Sequence, residues 1–176
     1  MILKNKTLLK KALARHIRKP GKCLLAQMCW PKRPANQMKY LEEQYGIPIR
    51  LLRLIEGLYV ALPATEQPKW VANLLATVEN GTDLSLVVNH FLIWLLTDPQ
   101  EGVIIYATRP DVKSCIEDVS NLHFRIISGE SVTSEAWAAS GAASRAAARA
   151  ASRAASEAAW AASRAKLESL LQSCSG

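Results

Sequence analysis

The chain has 176 residues, of which 49% are hydrophobic, and a net charge of +7. This length and composition predict one hydrophobic core with an appendage. They exclude a membrane-spanning helix, because the longest apolar run, residues 84–97, is shorter than the roughly 20 residues that a bilayer requires.

Residues 1–34 form a basic segment with ten Lys or Arg and no acidic residue. Leu9, Leu13 and Ile17 belong to an apolar stripe with helical spacing, and we expect this helix to end at Pro20–Gly21. Two interpretations stay open. The segment binds nucleic acid phosphates, or it lies against the middle of its own chain, where residues 35–134 carry seven basic and twelve acidic side chains. The candidate nucleic-acid contacts are Lys10, Lys11, Arg15, Arg18, Lys19 and Lys22.

The same segment lacks an uninterrupted apolar stretch and a small-residue cleavage site, so we expect a cytoplasmic protein without a secretory signal. It shares a basic, acid-free character with transit peptides, but not their serine content. The four cysteines form no Cys-x-x-Cys pair, and no histidine stands at metal-ligand spacing from them. We therefore expect structural thiols, no metal and no cofactor.

A helical pair is predicted on either side of Gly46, with one helix over residues 36–45 and a second from Pro48 to about Leu62. Its spacing is that of a helix-turn-helix, which would place Arg50 and Arg53 on DNA. The second helix is apolar around most of its circumference, however, whereas a recognition helix exposes polar side chains to base edges. The pattern favours two core helices.

Further helices are predicted downstream. Trp70, Leu74 and Val78 share one face of the first, and Asp83 is the predicted N-cap of a buried helix ending near Asp98–Pro99. Residues 102–107, GVIIYA, are the one predicted strand. A helix beginning at Pro110 follows, and residues 128–133 are the predicted linker to an alanine-rich end.

Three segments carry a resemblance to a known group of proteins. They are YGIPIRLLRLIEGLYVALP, GTDLSLVVNHFLIWLLTDPQEGV and the alanine-rich end. Together, over about residues 38–165, they resemble uncharacterised bacterial and phage-encoded proteins with alanine-rich C-terminal helices. The resemblance implies a microbial source and supplies no site residues.

No catalytic constellation is present in the sequence. There is no glycine-rich phosphate loop, no Gly-x-Ser-x-Gly elbow and no His-Glu-x-x-His. His90 is the best single candidate for chemistry, but a hydrogen-bonded core histidine is the favoured interpretation. We therefore expect no enzymatic activity.

The alanine-rich end has 17 alanines in the 33 positions from Ser134 to Lys166. One series of alanines steps by three or four residues and forms a nearly straight seam along a helix. Small side chains on one face allow a second helix to approach closely. The alternative is a solvent-exposed spacer helix. The predicted seam consists of Ala143, Ala147, Ala150, Ala154, Ala158, Ala161 and Ala165.

The opposite side of this predicted helix carries an arginine face, made of Arg145, Arg149, Arg153 and Arg164. It either stays solvated or contacts an acidic partner. We thus predict an all-α fold with a basic N-terminal segment (1–34), a helical core domain (35–130) and a long alanine-rich C-terminal helix (131–176). The predicted function is binding or assembly with a protein partner or with itself as a homo-oligomer, without a membrane. The alternative is a nucleic-acid-binding accessory protein using residues 4–33.

Overall fold

The protein is described by a computed structural model that covers residues 1–7, 9, 11, 24–29, 34–107, 109–141 and 157–174. Within these residues the fold is mostly helical and contains no strand, only an isolated antiparallel bridge between Ile2 and Asp83. Residues 134–141 are also helical. The named helices are α1 (Leu24–Met28), α2 (Gln37–Tyr45), α3 (Ile49–Val60), α4 (Gln67–Ala76), α5 (Val87–Thr97), a 3-10 helix (Val103–Tyr106), α6 (Pro110–Ile127) and α7 (Glu157–Ser173).

The predicted helical pair is confirmed, and its ends have clear local causes. The Asn36 side chain accepts from the backbone amide of Lys39 at 3.0 Å and caps the start of α2. Gly46 ends the helix in the left-handed conformation, with a φ of 71° that favours glycine. The Glu42 carboxylate accepts from the amide of Ile49 at 3.1 Å, at the start of α3. The pair packs through buried Leu41, Tyr45, Ile47, Leu51, Leu52 and Leu58.

The predicted strand over residues 102–107 is wrong. The amide of Gly102 donates to the Asp98 carbonyl, and the amide of Ile105 donates to the Gly102 carbonyl. These local bonds wind the segment into the 3-10 helix, whose Val103 and Ile104 pack against Val112 and Ile116 of α6. Local turn bonds therefore prevail over the β propensity of the sequence.

The predicted N-cap at Asp83 is also wrong, because α5 begins four residues later at Val87. Asp83 instead accepts from the backbone amide of Ser85 and from the amino group of Met1, both at 2.9 Å. The predicted helix at Pro110 and the linker that follows it are confirmed. Proline occupies the first turn of α6, and residues 128–133 are not helical.

The chain divides into two compact units. One comprises Met1–Val88 with Leu167–Gly176, and the other comprises Asn89–Lys166. The first contains the α2–α3 pair, and the second contains the cluster around Val112 and Ile116. Across the part of the chain that is described, no helix has the length and apolarity needed to cross a bilayer.

Candidate interaction surface

The C-terminal helix α7 has one clearly buried face. Ser163, Leu167 and Leu171 lie four residues apart, and each is at most 4% exposed. Residues at this spacing occupy one side of an α-helix. This side of α7 is therefore the one that packs against the rest of the chain.

One residue of the predicted alanine seam, Ala165, lies on the other side of the same helix. Ala165 follows Ser163 by two residues and precedes Leu167 by two, which places it about 200° around the helix from both. Its side chain is exposed, as are those of Ser169 and Gln172 farther along. Ala158 and Ala161 lie within α7, while Ala143, Ala147, Ala150 and Ala154 lie outside the described residues. The outward residues of α7 whose side chains the structure describes are thus small or polar.

The predicted arginine face is represented among the described residues by Arg164, which is half-buried. Arg145, Arg149 and Arg153 fall outside them. Lys166, next to the seam, lies with its ammonium group 5.9 Å from the centre of the Trp94 ring. The backbone amides of Gln100 and Glu101 lower the pKa of Asp98, and Lys166 adds a weaker electrostatic contribution. Lys166 is therefore engaged with its own chain.

The basic segment shows intramolecular contacts at the end that is described. The Lys6 ammonium group forms an ion pair with Glu79, and its side chain is almost fully buried. The Lys4 side chain reaches the backbone carbonyl of Glu43 at 3.5 Å. Lys11 is exposed. The other candidate nucleic-acid contacts, Lys10, Arg15, Arg18, Lys19 and Lys22, lie outside the described residues.

The expectation of a core histidine at His90 is wrong, because this side chain is exposed. Its neighbour Asn89 is buried instead, with its side-chain oxygen 3.0 Å from Nδ1 of His123. The His123 ring is also buried and lies 5.0 Å from that of Trp137. The helical register of α5 turns Asn89 inward and His90 outward. The apolar run alone does not specify that register, since residues on both sides of Asn89 and His90 are hydrophobic.

No group of three metal-ligating side chains comes together among the residues that the structure describes. Cys115 and Cys174 are half-buried, and burial raises the pKa of the Cys174 thiol. A raised pKa keeps a thiol protonated, which disfavours nucleophilic chemistry. The structure therefore gives no sign of an activated thiolate at Cys174.

Comparison of the chain with protein-family models finds no match. No curated protein and no solved structure matches it either. The resemblance to bacterial and phage-encoded proteins with alanine-rich helices therefore stays a prediction.

Proposed function

We propose that this chain is a non-enzymatic assembly protein of bacterial or phage origin, which acts in the cytoplasm and self-associates through the alanine seam of its C-terminal segment. The observation that carries the proposal is the exposure of Ala165 on the face opposite Ser163 and Leu167. Because this face of small residues points away from the buried side of α7, it does not fill the protein's own core. It is available to a second helix.

A second copy of the chain fits this face best. Ala143, Ala154 and Ala165 recur every eleven residues, so the seam stays nearly straight along a helix. Two identical straight seams can meet around a twofold axis, with the same surface used on both copies. Close approach of the backbones then replaces large side chains as the source of dispersion contacts.

The proposal predicts a specific response to enlarging one alanine. Ala165→Leu inserts a bulky side chain into the proposed contact, and overpacking of this kind costs about 1–3 kcal/mol. The dissociation constant should rise by about 5- to 150-fold. Ala72→Leu is the matched control, because Ala72 is an exposed helical alanine in α4. It should leave association unchanged.

Sedimentation equilibrium over a wide concentration range measures this effect directly. The unmodified chain should rise above its monomer mass of 19.3 kDa with concentration, and Ala165→Leu should delay that rise. A monomer at every concentration contradicts the proposal. Equal behaviour of the Ala165 and Ala72 variants also contradicts it, and would identify α7 as part of a solvated spacer.

The alternative function, nucleic-acid binding by residues 4–33, predicts a different result. If about six phosphates are neutralised, the logarithm of the affinity should fall with the logarithm of the salt concentration at a slope of about −5. Lys6, one of the basic side chains of this segment, is already paired with Glu79. We expect no detectable nucleic-acid binding at about 0.1 M salt. Binding that weakens with salt at the slope given above would favour the alternative.

A further inference from the structure

The first six residues lie in a groove within the first compact unit. One wall of this groove is the turn at Tyr45–Gly46, and the other is the loop from Glu79 to Leu84. On the loop side, the amide of Leu3 donates to the Thr82 carbonyl at 2.9 Å, and the amide of Gly81 returns a bond to the Leu3 carbonyl at 3.0 Å. This is antiparallel pairing of an extended segment with the loop.

The opposite wall also contacts the segment through backbone groups. The amide of Lys4 donates to the Tyr45 carbonyl at 2.9 Å. At Gly46, a Cβ atom would stand 1.9 Å from the carbonyl oxygen of Ile2. Only a glycine allows the segment to lie this close to the turn. The two walls therefore hold the segment along its main chain.

Two side chains of the segment enter the groove. Leu3 is 2% exposed, and Lys6 is 7% exposed. The amide of Lys6 donates to the Asn80 side chain at 2.7 Å, and its ammonium group pairs with Glu79. Met1 and Ile2 stay about half exposed. The groove thus recognises an extended main chain up to Asn5, the apolar side chain of Leu3, and Lys6, at which a helical turn begins.

We propose that this groove is a peptide-binding site that can accept residues 1–6 of a second copy in place of the chain's own segment. Main-chain pairing with an extended segment, with pockets for particular side chains, is a recurrent mode of peptide recognition. Exchange of an identical segment between copies preserves the contacts between residues 1–6 and the groove, because the incoming residues have the same sequence. The loop wall is accessible at Glu79, whose side chain is 65% exposed.

Binding of a synthetic peptide to the full-length chain tests the proposal without reference to the alanine seam. The probe is a peptide of residues 1–7 with a fluorophore at its C-terminus. The host is the chain with Leu3→Glu and Lys6→Glu, which should release its own segment. The control peptide carries the same two substitutions.

The probe should bind the released host at least about tenfold more tightly than the unmodified chain, whose groove is filled. The control peptide should not bind either protein. Equal binding of the probe and the control peptide to a folded host overturns the proposal. Circular dichroism establishes whether the host is folded.

Hydrogen exchange in the unmodified chain provides a second test that does not depend on that host. The amides of Leu3, Lys4 and Gly81 should exchange together, at least about tenfold faster than the core amides of α3, because the segment opens without global unfolding. If they exchange only with global unfolding, the segment does not leave the groove and the proposal is overturned.

Discussion

Replacement of Gly46 by alanine tests the packing of the N-terminal segment against the α2–α3 turn. Gly46 has a φ of 71°, and an added Cβ would stand 1.9 Å from the Ile2 carbonyl oxygen. The left-handed conformation costs alanine about 1–2 kcal/mol. The segment must also move, which breaks backbone bonds such as those from Leu3 to Thr82 and from Lys4 to Tyr45.

The structure provides a matched control at Gly81. This glycine also has a positive φ, of 91°, but no atom lies within 4 Å of an added Cβ. Gly81→Ala should therefore cost only the conformational term of about 1–2 kcal/mol. Gly46→Ala should cost about 1–3 kcal/mol more, because two hydrogen bonds contribute about 0.5–1.5 kcal/mol each.

Urea unfolding of the two variants measures this difference, by linear extrapolation of the free energy of unfolding. Thermal unfolding gives a second reading, with about 2–4 °C expected per kcal/mol for a chain of this length. Equal losses of stability in Gly46→Ala and Gly81→Ala would show that the close approach of Ile2 to Gly46 contributes nothing to stability, which contradicts the prediction.

Three further predictions concern other parts of the fold. Gly57→Ala, in the interior of α3 with open space around an added Cβ, should raise the free energy of unfolding by about 0.5–1 kcal/mol in urea titrations. Asn89→Leu removes a buried partner of His123 and should cost about 1–3 kcal/mol, while Asn73→Leu at an exposed position should cost far less. The amino group of Met1 and then the hydrogen bonds from Ser85 lower the pKa of Asp83 to about 2 from 3.8, so these contacts stabilise the fold above pH 4 and are lost as the pH falls towards 2. The difference in urea midpoint between the unmodified chain and Asp83→Asn should therefore shrink over that range, and a constant difference would contradict it.

The sequence predicts the helices well where caps and breakers are local. Asn36, Gly46 and Pro110 act on their nearest neighbours, so the ends of α2 and the start of α6 follow from the residues themselves. Arg50 and Arg53 of α3 are exposed, as charged side chains usually are. Such features need no knowledge of distant segments.

Features that depend on distant contacts are not predictable in this way. Asp83 has the chemistry of an N-cap, but pairing with residues 1–3 places it in a loop wall instead. Residues 102–107 have the composition of a strand, but no neighbouring strand is described for them to pair with. In the candidate surface, periodicity identifies the alanine seam, whereas the outward direction of Ala165 depends on which face of α7 is buried.

Isotope-filtered nuclear Overhauser spectroscopy on a mixture of two forms of the chain tests the proposed self-association most directly. One form carries ¹³C-labelled alanine methyl groups, and the other is unlabelled. At a concentration where the chain sediments as a dimer, we expect intermolecular contacts to the Ala165 methyl group and none to that of Ala72. Absence of intermolecular contacts at Ala165 in a dimeric sample, or a monomer at every concentration, would contradict self-association through the alanine seam.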